Sequence, residues 1–397
     1  MNSNSLQKTW TYLDNNATTR VDEPVLGAML PFLSECYANA SAIHGMGTES
    51  ANAVAVAREQ ICALLHAQRE SEIIFTSGGS ESNNTAILSA LESQTGRNEI
   101  ITSAVEHASV LAVCEHLERT GRARVHRIPV DRSGNLLLDA YRSALSDKTA
   151  LVTMQWANNE TGVIFPVEIL ASMAHGVGAL FHCDAVQAAG RIALNVVDAG
   201  IDMLSLSAHK MHGPKGIGVL YLRHGIRMVP LIRGGRQERG RRAGTENTPA
   251  IVGFGVAADL AAQALQTQMP RVAMLRDALK RELLQQIPDS MAMGVAGNLL
   301  PNTLNIAFAE VEADSILLLL DRAGIAASSG SACSAGSMEP SHVLRAMKVP
   351  FSHLRGSIRF SLSRQSSEAD IRRVVDVLPG IIAELSSASM PVEVAFD

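Results

Sequence analysis

The 397-residue chain has no run approaching the roughly 20 consecutive apolar residues that a membrane-spanning helix needs. Its longest purely aliphatic stretch, Ile316–Leu320, reads as core. The N-terminus, MNSNSLQKTW, carries no apolar segment of the signal-peptide kind, so a cytoplasmic location and no membrane partner are expected. An excess of positive charge is missing too. The net charge is −5 at pH 7, and nothing global draws the chain to nucleic acid or an anionic surface. Cysteine is sparse: Cys36, Cys62, Cys114, Cys183 and Cys333 are odd in number, irregularly spaced and without a C-x-x-C pair. That argues against a disulfide framework and against structural zinc. Repeats and low-complexity tracts are also absent. What is left is an ordinary globular composition, 47% hydrophobic and 18% charged, with length enough for a large and a smaller domain.

Between about residues 70 and 225, short β-branched runs alternate with longer helical patterns. Strands are expected at 72–76, 99–102, 125–128, 150–154, 179–183, 203–207 and 218–222, with helices over 80–90 and 109–120. This alternation implies an α/β domain with a largely parallel sheet, which binds ligands at the carboxyl ends of its strands. Residues 250–287 read as Ala/Leu-rich helices with a break at Pro270. After Pro288, the segments 303–308, 315–323 and 357–362 suggest a smaller α+β unit closed by a helix over 368–385, with a loosely held tail after Ser386.

Polar motifs fall at several of those strand ends. In SLSAHKMHGPKG a strand runs straight into Lys210, and a lysine at such a place forms a Schiff base when its surroundings lower its pKa. Alone, it reads as a surface lysine in a glycine-rich turn. In FHCDAVQ a hydrophobic strand ends in Asp184, which suits either a protonated pyridine nitrogen or a helix N-cap. FTSGGSESNN supplies a strand, a glycine pair and a helix start, whose unpaired N–H groups make a phosphate cradle or a plain turn. His107, in SAVEHAS, would stack on a flat ring and shuttle protons, or serve structurally. WANNETG adds a polar cluster fit for a ring hydroxyl, although Asx-rich turns are common. Five strand ends, each offering one part of a pyridoxal-phosphate site, leave coincidence a poor explanation.

The ordered motifs TSGGSESNN, EHAS, ANNETG, HCDAVQ, LSAHKMHGPKG, RRAGTENT and SSGSACSAG resemble those of the cysteine desulfurases, class V aminotransferase-fold enzymes, in particular the NifS type. The likeness runs from Tyr12–Thr18 to Ser357–Ser361. It implies the pyridoxal-phosphate-dependent transferase fold: a mostly parallel seven-stranded sheet in a large domain (16–262), with a small α+β domain (1–15 and 263–397) carrying a loop at 327–337. It implies Lys210 as the lysine bonded to the cofactor, Asp184 on its ring nitrogen, and His107 stacked on the ring. Asn159 and Gln187 would contact its hydroxyl side, and Gly79, Ser80, Ser207 and His209 its phosphate. Thr245 would reach the phosphate of a neighbouring subunit, hence a homodimer. Arg359, helped by Asn39, would bind the substrate carboxylate. The family's usual Asn-Pro-Ser-Ser reads Asn39-Ala-Ser-Ala42 here, which makes Asn39 the least typical member of the set.

Cys333 lies in ASSGSACSAGS, a segment with no bulky side chain and little to bury, so an exposed loop is expected. The other four cysteines suit the role of buried small hydrophobes. A thiol on such a loop fits one chemistry: attack of its thiolate on the sulfur of bound L-cysteine, leaving alanine and an enzyme persulfide. The resemblance adds an iron-sulfur scaffold protein of the NifU or IscU kind as sulfur acceptor, and nitrogenase maturation as its use. No metal site is expected, apart from passing contact of Cys333 with a partner's cluster. Selenocysteine would fit the same site, so a selenocysteine lyase or another class V enzyme stays open. A nucleic-acid or sulfur-relay binding module would rest on the basic run Arg233–Arg242, but no aromatic residues interleave with it.

Overall fold

The computed structural model describes residues 10–294, 298–329 and 340–389. Twelve strands occur among them, in chain order: β1 (Thr11–Tyr12), β2 (Ile73–Thr76), β3 (Glu99–Ser103), β4 (Arg124–Ile128), β5 (Thr149–Gln155), β6 (Leu180–Asp184), β7 (Met203–Ser207), β8 (Gly218–Leu222), β9 (Ser290–Ala292), β10 (Thr303–Phe308), β11 (Ile325–Ala326) and β12 (Ser357–Ser361). Seven of them form one sheet in the order β2-β8-β7-β6-β5-β3-β4. β8 runs antiparallel to both its neighbours, and the other adjacent pairs are parallel. The expected mostly parallel seven-stranded sheet is therefore present. β2, β3, β5, β6, β7 and β8 are buried along their whole length. That explains why they read as continuous rather than alternating apolar runs.

The β8 exception follows from its connection. Only a short turn with no crossover helix joins it to β7, and so brief a link suits an antiparallel partner. Gly218 opens β8 because nothing larger fits: a Cβ there would lie 2.6 Å from the backbone Cα and C of Gly78.

Helices cover the sheet. Gly79–Ser93 and Ala108–Arg119 pack with one face, and their apolar residues Ile87, Val110 and Leu117 share a core with Ile100, Leu151 and Leu220. Gly45–Leu65 and Thr248–Thr267 pack with the other core, which holds Phe75, Phe181, Leu204 and Phe254. Each such fully buried aromatic or aliphatic side chain contributes about 1.5–3 kcal/mol. Thr248–Thr267 is long and apolar enough by composition to cross a membrane, yet Ile251, Phe254, Ala257, Ala258 and Ala261 are buried against protein. The next helix, Met269–Gln286, begins after Gln268, and Pro270 sits in its first turn, where a missing N–H is harmless.

A three-stranded antiparallel sheet, β12-β10-β9, has its own core with Met269–Gln286, Ala313–Arg322 and Glu368–Ser389. The last helix runs to Ser389, past the expected end at Leu385. Ile316–Leu320 is amphipathic rather than wholly core, since Leu318 is 55% exposed. β1 pairs with β11, and residues 15–19 then cross to the larger sheet, where Thr19 N donates to His209 O at 2.9 Å. Cys114 and Cys183 are buried as expected. Cys36 and Cys62 are only half-buried: Cys36, just past the short helix Pro31–Ser34, turns its thiol to Glu49, and Cys62 turns its thiol to Ala67 O.

Candidate active site

Five carboxyl ends of parallel strands meet at one cavity of about 250 Å³. β2 feeds the helix Gly79–Ser93, and β3 the loop to His107. β5 ends at Gln155 and the Ala157–Gly162 turn, β6 at Asp184, and β7 at the short turn Ala208–Lys210. Gly79, Ser80, His107, Asn159, Asp184, Gln187, Ser207, His209 and Lys210, all expected from sequence, line the cavity. Asn83, Ser109, Gln155, Ala157 and Val186 line it as well and were not anticipated.

Asp184 is buried and held at both oxygens: Asn83 Nδ2 donates to Oδ2 at 2.7 Å and Val186 N to Oδ1 at 3.0 Å. Asn83 Nδ2 also reaches Ser109 Oγ at 2.8 Å, and Ser109 Oγ lies 2.8 Å from His107 Nδ1. Ser109 N donates to that same Nδ1, which makes Nδ1 the acceptor and leaves the proton of the neutral imidazole on Nε2. One amide side chain thus ties the carboxylate of β6 to the imidazole that follows β3.

Lys210 Nζ donates to Asn16 O at 2.6 Å and Ala17 O at 2.8 Å. Gln187 Nε2 donates to the same Asn16 carbonyl at 3.1 Å, and its Oε1 accepts from buried Arg191. Burial, and then the charge of Arg359, push the Arg191 guanidinium down to about 9, so it remains a cation at neutral pH. His209 is pushed down to about 4 by burial, then by the charges of Lys210, Lys215 and Arg191, and is neutral at pH 7. Its Nδ1 lies 3.1 Å from Thr18 Oγ1.

The residues present fit pyridoxal phosphate. Gly79 opens a helix whose first N–H groups and positive dipole end face the cavity, as an anion requires. A Cβ on Gly79 would come 2.8 Å from Val186 Cγ2 and narrow the opening. Gln155 Nε2 is buried at the cavity wall without a hydrogen-bond acceptor among the described residues, a donor awaiting an oxygen.

Arg359 is 2% exposed; its Nη2 donates to Asp14 Oδ1 at 2.8 Å and its Nη1 to Asn159 O at 3.1 Å. It therefore sits directly behind a residue of the cavity wall. Asn39 is exposed and accepts from Ser41 N at 2.8 Å, away from the cavity lining. Thr245 is exposed on this chain and does not line the cavity either. Within the basic run, Glu238 is bound by Arg58 and Arg242 by Glu81, which makes part of the run structural. Cys333 lies outside the described residues.

Sequence reading passed over Glu106, next to His107. It is wholly buried, accepts from Ser103 Oγ at 2.5 Å, and burial raises its carboxyl to about 8. Among the described residues no cluster of side chains could hold a metal ion.

Comparison with known proteins agrees with this geometry. The family described as Aminotransferase class-V matches residues 11–374. A cysteine desulfurase of Gluconacetobacter diazotrophicus is 60% identical over 95% of this chain and 94% of that one. The cysteine desulfurase NifS of Azotobacter vinelandii is 51% identical over 95% and 94%. A solved structure titled NifS-like protein superposes with a TM-score of 0.89 at 36% identity, covering 95% of this chain and all of that one. With the lysine, the aspartate and the glycine-opened helix converging on one cavity, the chain belongs to the class-V aminotransferase family, among its cysteine desulfurases of the NifS type.

Proposed function

We propose that this chain binds pyridoxal phosphate in the 250 Å³ cavity and converts L-cysteine to L-alanine, retaining the sulfur as a persulfide on Cys333. The observation that carries the reading is the meeting of Lys210, Asp184, His107 and the Gly79 helix start at that one cavity. Once bound, the cofactor supplies an electron sink for the bonds around the substrate's α-carbon. Asp184, oriented by Asn83 and Val186 N, holds the proton on its ring nitrogen. Gly79, Ser80, Ser207 and neutral His209 take the phosphate, and Asn159, Gln187 and Gln155 Nε2 serve the hydroxyl side.

Arg359 binds the substrate carboxylate by exchanging it for Asp14, a swap that a planar two-nitrogen fork suits. Asn39 assists it. Lys210, released from the Asn16 and Ala17 carbonyls, removes the α-proton. His107 carries its mobile proton on Nε2 and delivers it near the substrate sulfur. The Cys333 thiolate attacks that sulfur: an S–S bond forms, the Cβ–S bond breaks with its electron pair left on carbon, and protonation there together with return of the α-proton from Lys210 gives alanine. Thr245 contributes to the cofactor phosphate of a second copy in a homodimer. An iron-sulfur scaffold protein then takes the persulfide sulfur, in a nitrogen-fixation setting.

The test is to give purified protein L-cysteine and a reductant and to measure alanine and sulfide together, in wild type and in Cys333→Ala. Equal yields from wild type and none from a still yellow variant are expected. A yellow wild type that turns over no cysteine would refute the reading.

A further inference from the structure

Arg191 is buried at 7% exposure, with no carboxylate within ion-pair distance among the described residues. Its partners are all neutral oxygens. Nη1 donates to Gln187 O at 2.6 Å and Gln187 Oε1 at 2.5 Å, while Nη2 lies 3.4 Å from both Asn15 O and Lys210 O. A buried cation without an anion is a poor stabiliser of a fold. What it does well is orient its partners.

A guanidinium only donates, so the end of the Gln187 amide that faces Arg191 has to be the oxygen. This removes the usual two-fold ambiguity of an amide side chain. The NH2 end is thereby turned to Asn16 O at 3.1 Å and to the cavity that Gln187 lines. The Asn16 carbonyl also receives Lys210 Nζ. Guanidinium, amide, carbonyl and ammonium form one connected chain, with Arg191 at its outer end. Without Arg191 the Gln187 side chain could turn over and present an acceptor to the cavity, where an anionic oxygen would be repelled.

We propose that Arg191 is a positioning residue which holds Gln187 in the single amide orientation that offers a donor to the cofactor's hydroxyl side. The inference rests on the pyridoxal-phosphate reading above. Arg191 touches neither substrate nor cofactor in this account and acts through Gln187 alone.

The experiment uses the full-length protein loaded with pyridoxal phosphate, without substrate. The dissociation constant for the cofactor and the absorption maximum of the bound form are measured in wild type, Arg191→Met, Arg191→Lys, Gln187→Ala and the Arg191→Met/Gln187→Ala double variant. Arg191→Met should weaken binding by about tenfold or more and move the absorption band in the same direction as Gln187→Ala. The double variant should bind within about twofold of Gln187→Ala, because two residues that act as a unit are not additive. Arg191→Lys keeps a group that only donates, and should bind the cofactor closer to wild type than Arg191→Met does. Multiplying effects in the double variant would overturn the proposal, as would unchanged affinity in Arg191→Met. If Arg191→Met fails to fold, Arg191→Ala decides: wild-type affinity and band there would overturn it. A wild type with no cofactor band at all would instead refute the pyridoxal-phosphate reading and take this inference with it.

Discussion

Lys210 Nζ stands 2.6 Å from the carbonyl oxygen of Asn16, across 194 positions of sequence. The N-terminal segment that leaves the small sheet thus provides the resting place of the lysine at the end of β7. The ammonium is held by two backbone carbonyls, Asn16 O and Ala17 O, which orient it without a counter-charge of their own.

On the proposed function, replacing that lysine removes the base and the cofactor's anchor together. Lys210→Ala should lose the absorption band of the lysine-bound cofactor, and alanine formation from L-cysteine should fall by roughly 10²–10⁴-fold. Absorbance and an alanine assay on one preparation check both. A variant with normal turnover would remove Lys210 from the chemistry.

Arg359→Lys keeps a positive charge near Asn159 but cannot make two parallel bonds to a carboxylate. The kcat/KM for L-cysteine should drop by roughly 10–100-fold, with the cofactor's affinity held within about twofold of wild type. Steady-state kinetics beside a cofactor titration separate the two quantities. An unchanged kcat/KM would place the substrate carboxylate elsewhere.

Gly218→Ala puts a Cβ 2.6 Å from the backbone of Gly78 and 2.8 Å from Leu206 O. Backbone lies on both sides and neither can step aside, so about 1–3 kcal/mol of stability should be lost. Urea unfolding reads this as a lower midpoint at unchanged slope.

His182 is fully buried between Thr153 Oγ1 and Ser205 Oγ, and burial pushes its pKa down to about 3. Between its ordinary value near 6.5 and about 3, the unfolded chain binds a proton there that the folded chain refuses. Stability therefore falls as pH falls through that window, by about 1.4 kcal/mol per pH unit for the site. His182→Gln should flatten the acid limb of a stability profile by that amount. An unaltered limb would mean that the imidazole titrates normally.

Glu106 has the opposite sign. Its folded carboxyl keeps a proton up to about 8, while the unfolded one loses it near 4.5, so stability falls as pH rises between those values. Glu106→Gln, which imitates the protonated acid, should remove that loss of about 1.4 kcal/mol per pH unit, and urea midpoints at pH 5 and pH 8 compare the two proteins. A variant as sensitive to alkali as wild type would rule out the buried neutral acid.

The long strands were legible because both their faces are buried, and β-branched runs such as 99–102 and 150–154 admit little else. β1, β9 and β11 were not, since two or three residues leave no periodicity to detect. The reversed direction of β8 had a signal that went unread: too few residues between β7 and β8 for a crossover helix. In the site, Asn83, Ser109, Ala157 and Val186 stand inside the marked motifs but were not singled out, while Gln155 and Arg191 lie outside every motif. Gln155 is the last residue of an apolar strand, and its importance lies in an Nε2 group with no acceptor among the described residues. Arg191 follows the HCDAVQ motif by four positions, and only the fold turns it back onto Gln187.

The place of β8 between β2 and β7 has a consequence for synthesis. β2 is the first strand of the seven-stranded sheet to leave the ribosome, yet among the described residues β8 is its only partner in the sheet, and roughly 140 residues must be added before β8 is made. At 5–20 residues per second, the Ile-Ile-Phe-Thr edge stays unpaired for about 7–30 s. For that interval it is a bare, strongly apolar template of the kind that pairs with other nascent chains.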